Sequence, residues 1–465
     1  MALRFATSEK GKRKLIDNGH VYIKDKSNGE KTFWKCEYSR SKRCHGRVHT
    51  IGDSIAKRIG EHNHSGNACR AEVLDVMHNI IDRAVTTQDG PQNIVADALN
   101  LASQPALGQL TSVNNMKRVI RRARKRKGAM PANPLSLQDL VIPDEFKKTL
   151  KSQDFLLYDS GQGDKRTLIF STHRNLQLLA RSQHWYADGT FKTVPPLFAQ
   201  LYTIHGLINN NIVPAVFVLM SEKTEESYRM VFSKLKQLEP SMRPISVMTD
   251  FETATVKAFQ HEFIGIQLRG CFFHFCQCLY RNIQSNGLQH RYENDADFAM
   301  QMRHLPSLAF VPVEDVVLAF EELLSRVDFP LESQPVLDYF EDTWIGRPTR
   351  GNKRRPPRTP HSMWSCYDNI NDDLPKTNNS CEGWHRSFSE LIGGNHPTIW
   401  KFITVLQKEQ CLNEAKIEQS LAGQPIQPQK KRYRDAASRI KKIVETYKEI
   451  DLMDYLRGLS HTLSF

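Results

Sequence analysis

Two aspartates, Asp188 and Asp250, end segments that have the composition of buried strands. The run QHWYAD closes on Asp188, and the run ISVMTD closes on Asp250. A lone buried carboxylate is costly, so such a residue is normally paired, hydrogen-bonded or bound to a metal. Considered alone, Asp188 also fits a simple turn before Gly189. The interpretation therefore depends on whether other acids converge on the same place.

Two more strands and a helix are predicted between Asp188 and the strand that ends in Asp250. If the strands that carry the two aspartates are neighbours, both carboxylates meet at one edge of a sheet. Like charges at that distance repel each other unless a cation neutralises them, and Mg²⁺ or Mn²⁺ prefers oxygen ligands of this kind. Two such ions form a clamp for in-line phosphoryl transfer. The two aspartates thus predict a divalent-cation site.

The third acid is less explicit. The candidates in the later region are Asp368, Asp372, Asp373, Glu382 and Glu390. The segment KTNNSCEGWHRSFSELIGG predicts a helix that begins near Ser380 and ends before Gly393. Glu382 lies in its first turn, where the carboxylate points back towards whatever the N-terminus faces, whereas Glu390 lies about 12 Å further along the axis. We predict Glu382 as the third acid, with an ordinary dipole-complementing role as the alternative.

A second group of residues suits a metal of another kind. Cys36, Cys44, His62 and His64 are spaced as C-x7-C-x17-H-x-H. Two thiolates and two imidazoles are a common structural Zn²⁺ set, and a small domain with few large apolar side chains needs such a staple. The alternative is a polar His-Asn-His turn with incidental cysteines.

Positive charge is concentrated in the first part of the chain. Of 465 residues, with a net charge of +13, residues 1–130 hold 25 basic and 12 acidic side chains and the remainder holds 39 of each. A basic front joined to a neutral body predicts an anionic partner, most commonly nucleic acid. The run KRVIRRARKRK (117–127) closes a predicted helix and is typical of a nuclear import signal or a strap on a DNA backbone, with a solvated helix end as the alternative. Its candidate DNA contacts are Arg121, Arg122, Arg124, Lys125, Arg126 and Lys127.

Membrane and secreted classes are not expected. No apolar run approaches 18 residues, and MALRFATSEKGKRK lacks a hydrophobic signal core. Nine irregularly spaced cysteines favour reduced thiols or metal ligands over a disulfide framework.

The first region resembles a known family. GHVYIKD, FWKCEY, CHGRVHT and EHNHS are similar to a FLYWCH-type zinc finger, related to the WRKY and glial-cells-missing fold. The resemblance implies bound zinc and a small four-stranded sheet that can contact duplex DNA. It makes Lys42, Arg43 and Arg47 candidate phosphate contacts and Trp34 a core residue. Domains of this family also bind proteins, so both kinds of partner stay open.

The later region resembles the catalytic domain of Mutator-like element (MULE) DNA transposases. WYADGTF, VMTDFETATVKAF, RGCFFHFCQCLYRNI and NNSCEGWHRSF carry the similarity. It implies a ribonuclease H-like α/β fold whose triad of acids, Asp188, Asp250 and Glu382, binds Mg²⁺ or Mn²⁺. It also implies that Cys271 and His274 help to shape the active site.

His385, one turn after Glu382 in the predicted helix, would face the same site and contact the scissile phosphate.

The expected organisation is multidomain. It comprises a β-rich FLYWCH-type zinc finger (15–66), a basic helical DNA-binding bridge (70–130), a ribonuclease H-like domain (145–410) with a helical insertion (about 286–375), and a helical C-terminal tail (411–465). The expected function is a nuclear DNA transposase that binds transposon terminal repeats and cuts and joins DNA strands. Its partners would be double-stranded DNA and further copies of itself, with no membrane and no small-molecule substrate. The alternative is a domesticated transposase that serves as a zinc-finger transcriptional regulator without catalysis.

Overall fold

The computed structural model describes residues 3–8, 12–87, 89–126, 131–208, 211–350, 353–423 and 431–463. Within helices, the side chains of residues 125, 126 and 421 are not described. The chain divides into two compact units, Met1–Ala132 and Asn133–Phe465. We call them unit 1 and unit 2.

Unit 1 begins with a six-stranded antiparallel sheet whose strands follow one another in sequence order. They are β1 (Arg4–Thr7), β2 (Arg13–Asp17), β3 (His20–Asn28), β4 (Lys31–Cys36), β5 (Arg47–Ile51) and β6 (Ser54–Ile59). The prediction of four strands is therefore two short. The unexpected β1 and β2 are brief, and each places one residue, Ala6 or Leu15, in a buried position.

Four helices complete unit 1, namely α1 (Arg70–Thr86), α2 (Pro91–Asn100), α3 (Gln104–Leu107) and α4 (Val113–Arg126). This agrees with the helical prediction, and the Ser112 hydroxyl accepts a hydrogen bond from the amide of Asn115 at the start of α4. The helices join the sheet through Glu37, whose carboxylate accepts from Lys14 at 3.0 Å and from Arg70 at 3.1 Å. The zinc-finger region and the basic helices thus fold as one compact unit.

Unit 2 is built on a seven-stranded mixed sheet with the order β13-β12-β9-β10-β11-β8-β7. The strands are β7 (Leu156–Asp159), β8 (Thr167–Phe170), β9 (His184–Thr190), β10 (Gln200–Ile208), β11 (Asn211–Met220), β12 (Ser246–Thr249) and β13 (Gln267–Gly270). β12 runs parallel to both of its neighbours, β9 and β13, and the remaining pairs are antiparallel. The sequence did not predict β7 and β8, because four-residue strands carry little pattern.

The helices of unit 2 are α5 (His173–Arg181), α6 (Glu225–Leu238), α7 (Thr253–Glu262), α8 (Phe272–Ser285), α9 (Gln289–Asn294), α10 (Ala296–Ser307), α11 (Val316–Arg326), α12 (Gln334–Phe340), α13 (His361–Trp364), α14 (Tyr367–Asn371), α15 (Asn379–Ile392), α16 (Ile399–Leu421), α17 (Lys431–Glu445) and α18 (Leu452–Thr462). The stretch expected as an insertion is helical. Among the described residues, no helix combines the length and the apolar character needed to cross a membrane.

The described residues of unit 2 form at least two large apolar clusters. One lies on the sheet and includes Trp185, Val216 and Phe232. The other joins the helices of the expected insertion to α17 and α18, for example through Phe340 and Tyr455. The boundary expected at residue 410 falls inside α16, and the last two helices belong to the helical cluster, so residues 133–465 are described as one unit.

Candidate functional site

The site lies at the carboxyl ends of the parallel strands in unit 2. Asp188 belongs to β9, and Asp250 directly follows β12. The register of these neighbouring strands pairs Met248 with Tyr186. Two residues further along, the same register brings Asp250 level with Asp188. Because side chains two positions apart point to the same face, both carboxylates lie on the face that carries Tyr186 and Met248.

The third parallel strand brings Cys271 to the same level. β12 and β13 pair Thr249 with Gly270, and Cys271 follows at once as the N-cap of α8. Its buried thiol joins Tyr186, Met248 and Cys381 in a small apolar cluster. Cys271 thus packs beneath the acids as a buried apolar side chain and does not offer an accessible metal ligand.

Asp188 is buried in this crowded surrounding. Its side chain is 10% exposed, and the carboxylate accepts a hydrogen bond from the amide of Gly189 at 3.0 Å. Burial raises the pKa of Asp188 to about 7, and the charges of Asp250 and Glu382 add to this effect. The structure therefore brings three predicted acids within electrostatic range of one another.

Glu382 reaches the site from the first turn of α15, as the sequence predicts. The helix is anchored at its start, because the backbone amide of Asn378 donates to the Cys271 thiol at 3.4 Å. The imidazole of His274, on the first turn of α8, lies 3.5 Å from the Glu382 carboxylate. Glu390 is exposed, two turns further along the same helix.

His385, one turn after Glu382, faces Asp188. Its Nε2 lies 3.6 Å from the Asp188 carboxylate and 3.3 Å from the hydroxyl of Thr203. Burial lowers the pKa of His385 to about 4, so the imidazole is neutral at physiological pH. In the structure this ring contacts a carboxylate and a hydroxyl from within the protein.

Sequence reasoning missed two buried residues behind His385. Thr203 and His205 lie on β10, and Nε2 of His205 is 3.0 Å from the Thr203 hydroxyl. The Thr203 hydroxyl also donates to the backbone carbonyl of Asp188 at 3.3 Å. The one available signal was polar residues at alternate positions within the apolar run LFAQLYTIHGLI.

The three acids offer the oxygen donors that Mg²⁺ and Mn²⁺ prefer. Burial is the main cause of the raised pKa of Asp188, and the charges of Asp250 and Glu382 add to it, so a divalent cation bound among these oxygens would favour the ionised carboxylates. The carboxylate oxygens of the three acids do not all lie within 4.8 Å of one another. Within the described ranges, the ligand atoms of the Cys/His group of unit 1 do lie that close together. By their chemistry and crowding, the residues fit a divalent cation.

That Cys/His group consists of Cys36, Cys44, His62 and His64. The thiol of Cys36 is 3.2 Å from Nε2 of His64, the thiol of Cys44 is 3.3 Å from Nδ1 of His62, and these two ring nitrogens are 3.4 Å apart. A tetrahedral Zn²⁺ with bonds of about 2.0 to 2.3 Å places its ligand atoms about 3.3 to 3.8 Å apart. The four side chains therefore fit a structural zinc ion.

The surroundings of the two imidazoles leave the correct nitrogens free for zinc. Nδ1 of His64 faces the carbonyl of Ser65 at 3.1 Å, and a carbonyl only accepts, so this nitrogen carries the proton and Nε2 is the ligand. Nε2 of His62 lies 2.8 Å from the Tyr22 hydroxyl. Gly46 makes room for the His62 ring, because a Cβ there would overlap it. Such outer contacts orient zinc ligands.

The basic residues singled out in the sequence differ in their accessibility. Lys42, Arg43, Arg121 and Arg122 are exposed. Arg47 is half-buried and donates to the carbonyls of Cys44 and Gly46.

Arg124 differs from the other predicted DNA contacts in its surroundings. Its guanidinium donates to the carbonyls of Ala84, Thr87 and Asp89, at 2.8, 3.2 and 2.7 Å. It joins the α1–α2 loop to α4 instead of presenting its charge to solvent. The side chains of Lys125 and Arg126, and the whole of Lys127, lie outside the described residues.

Known protein families match one segment in each of the two units. Residues 5–64 match the FLYWCH zinc finger domain, and residues 184–278 match the MULE transposase domain. The chain carries a FLYWCH zinc finger and a MULE transposase domain. The resemblances inferred from the sequence are thus confirmed, and the MULE match contains Asp188, Asp250, Cys271 and His274.

Other comparisons are weaker. A chain of the Drosophila P element transposase strand transfer complex aligns with 12% identity and a TM-score of 0.29, covering 72% of this chain and 91% of that one. No curated protein sequence matches the chain.

Proposed function

We propose that the protein is a DNA transposase that binds transposon ends and cuts and joins DNA strands by divalent-metal phosphoryl transfer. The observation that carries the proposal is the meeting of Asp188, Asp250 and Glu382 at one sheet edge. Asp188 and Asp250 lie in the segment that matches the MULE transposase domain, and burial raises the pKa of Asp188, with the charges of Asp250 and Glu382 adding to the effect. The acids would hold Mg²⁺ or Mn²⁺, which when bound activates the attacking oxygen and stabilises the leaving one.

We infer a ribonuclease H-like fold for this catalytic domain. Support comes from the antiparallel run β9, β10 and β11, followed by β12 and β13 parallel to β9. In this arrangement the first acid lies on β9, an interior strand, and the second follows β12, the strand beside it. Two ions about 4 Å apart need ligands spread more widely than a single ion does, which suits the separation of the three acids.

The neighbouring side chains have orienting roles in this proposal. His274 holds the Glu382 carboxylate, and His385 together with the Gly189 amide holds the two oxygens of Asp188. Because His385 is neutral, it contacts the Asp188 carboxylate without adding a positive charge that would compete with a cation. Positioning of this kind fixes metal ligands before substrate binds.

Unit 1 would supply the DNA affinity. Zinc held by Cys36, Cys44, His62 and His64 keeps the finger folded, and exposed basic residues such as Arg121 and Arg122 contact phosphates. Nuclear localisation and assembly of two or more copies on paired transposon ends belong to the same proposal.

The test is Mn²⁺-dependent cleavage of DNA that carries the element's terminal repeats. Asp188→Asn, Asp250→Asn and Glu382→Gln should each abolish cleavage and leave DNA binding intact, because they remove metal ligands and no basic surface. Glu390→Gln is the matched control, since it makes the same change on the same helix, and it should cleave normally. Wild-type protein that binds the repeats and never cleaves them would instead favour the alternative function, a transcriptional regulator without catalysis.

A further inference from the structure

A cavity of about 540 Å³ lies along one edge of the unit 2 sheet. β13 is the last strand at that end of the sheet, so one of its sides has no neighbouring strand. Residues of β13, α7, α13 and α14 line the cavity. Its volume is in the usual range for a pocket that binds a ligand. We call it the β13 pocket.

The backbone of β13 offers free hydrogen-bonding groups to this pocket. β12 and β13 pair in parallel, and the amides of Gln267 and Cys271 donate to the carbonyls of Ile245 and Thr249, at 2.9 and 3.0 Å. Because alternate residues of such a strand direct their backbone groups to opposite sides, the N–H and C=O of Leu268 point away from β12. Leu268 lines the pocket, and among the described residues its backbone has no other partner. Proteins normally cover a free sheet edge of this kind.

The side chains around the pocket fall into an apolar set and a charged set. The apolar set is Val256, Ile266, Leu268, Val313, Pro360 and Met363.

The charged set is Arg269, Asp368 and Asp372. Leu268 and Arg269 are consecutive residues of β13, so the two sets begin on opposite faces of the sheet. The adjacent Asp373 pairs with Lys441 at 2.6 Å, whereas Asp368 and Asp372 are exposed and form no ion pair within the described part of the chain. The charged set thus has an excess of carboxylates and favours a cationic group.

Two polar side chains in the pocket wall have donors to spare. Asn369 is 3% exposed, and its side-chain nitrogen has no hydrogen-bond partner among the described residues. The half-buried Arg269 guanidinium donates to the Gln267 side chain at 3.0 Å. Burial lowers the pKa of Arg269, and the charge of Asp372 partly offsets this effect. A buried donor without an acceptor is costly, so carbonyl groups that enter the pocket would stabilise this wall.

We propose that the β13 pocket binds an extended peptide segment of a partner protein, which adds a strand to the free edge of β13. One residue of the segment would pair with the N–H and C=O of Leu268 and pack its apolar side chain against Leu268 and Val256. The basic side chains on either side of it would reach Asp368 and Asp372. Main-chain hydrogen bonds supply affinity in this mode of recognition, and alternate side chains supply specificity.

The alternation of the segment follows from the pocket itself. Successive side chains of a strand point to opposite faces, so alternating apolar and basic residues match the two sets. A nucleotide fits less well, because its phosphates would face two carboxylates. None of these side chains belongs to the acid site, so the proposal does not depend on DNA cleavage.

The test uses the full-length, zinc-loaded protein and a fluorescent, end-capped peptide that alternates valine and lysine. A second peptide has the same sequence with N-methylated valines, which keeps the charge and removes the main-chain donors opposite Leu268. Fluorescence anisotropy measures affinity at about 0.15 M salt, where attraction between distant exposed charges is largely screened. Hydrogen exchange followed by mass spectrometry measures protection of β13.

The wild-type protein should bind the first peptide and exchange the Leu268 amide more slowly in its presence. N-methylation should weaken binding about 5-fold or more, since it removes a hydrogen bond. Asp368→Asn with Asp372→Asn should weaken it by a similar factor. Glu226→Gln with Glu390→Gln also removes two exposed carboxylates from unit 2, outside the pocket, and should bind like the wild type. Unchanged zinc content and thermal unfolding check the fold of both variants.

Four outcomes would overturn the proposal. Absence of binding removes its basis, and equal affinity for the two peptides would mean that charge alone attracts them. Equal losses in the two double variants would place the contact outside the pocket. Displacement of the peptide by AMP would identify the pocket as a nucleotide site instead.

Discussion

The hydroxyl of Thr203 lies 3.3 Å from Nε2 of His385, although 182 residues separate the two in the chain. A threonine hydroxyl has one hydrogen to donate, and the Asp188 carbonyl, which only accepts, takes it. Both imidazole nitrogens that face this oxygen, on His385 and His205, must then carry their own hydrogens. The Nε2–H of His385 is thereby directed at Thr203 and at the Asp188 carboxylate.

Thr203→Val should impair this arrangement by leaving two buried N–H groups without an acceptor. We expect a loss of about 10- to 100-fold in the apparent affinity for Mn²⁺ or in cleavage rate, as is typical when an outer contact to a metal ligand is removed. Mn²⁺ titrations of the cleavage rate measure it. Thr203→Ser keeps the hydroxyl and should restore most of the loss, and a serine variant as poor as valine would disprove the hydrogen-bonding role.

Asp188→Asn should stabilise the metal-free protein near neutral pH. The folded-state pKa of Asp188, about 7, lies above its ordinary value of 3.8, so ionisation disfavours the folded state. The penalty is absent below about pH 4, grows as the pH rises and is complete above about pH 7. The asparagine variant should gain on the order of 1 to 4 kcal/mol in unfolding free energy at about pH 8.

Denaturant unfolding in chelator measures this gain, and the same variant at about pH 4 is the control, because the wild-type acid is then protonated as well. A gain that is equal at both pH values would contradict the electrostatic origin.

Gly46→Ala should expel zinc from the finger. The added Cβ would overlap the His62 ring and move Nδ1 away from the ion, and zinc binding supplies much of the folding free energy of such domains. Metal analysis of the purified protein should find most of the zinc lost. Gly90→Ala, whose Cβ would meet open space, should retain it. Full zinc occupancy in Gly46→Ala would show that His62 is not a ligand.

Neighbouring arginines on α4 should separate DNA binding from stability. Arg121→Gln with Arg122→Gln should weaken DNA binding and flatten its salt dependence with little effect on unfolding, because both are exposed. Arg124→Gln should cost about 1 to 3 kcal/mol of stability, since the partly buried carbonyls of Ala84 and Thr87 lose their donor. Thermal unfolding and fluorescence anisotropy on the same samples measure both effects. The assignment fails if Arg124→Gln unfolds like the wild type.

Asp188 and Asp250, two of the candidate acids, were readable from sequence because their strands are apolar runs with abrupt polar ends. The same pattern could not reveal Thr203 and His205, since both lie inside an apolar run. Their role depends on contact with His385, on a helix far along the chain. Arg124 shows that sequence is also limited in predicting which residues of a charged run face solvent. Nothing in KRVIRRARKRK distinguishes the arginine that turns inward onto the α1–α2 loop from those that face solvent.

The secondary structure was likewise only partly predictable from sequence. Long periodic segments such as α6 and α15 were predicted, and α15 was predicted with its caps, including Gly393, whose φ of 67° ends the helix in the left-handed region. The short strands β1, β2, β7 and β8 were not, because their formation depends on a neighbouring strand.

The packing of α18 sets an order for folding during synthesis. Tyr455 donates to the carbonyl of Phe310, and Leu463 closes the same cluster. Unit 1 has its partners within the first 132 residues and can fold while the chain is still being made. The helical cluster beside the candidate acids is complete only after α18 has left the ribosome. A nascent chain would therefore have a folded zinc finger before the core next to these acids is complete.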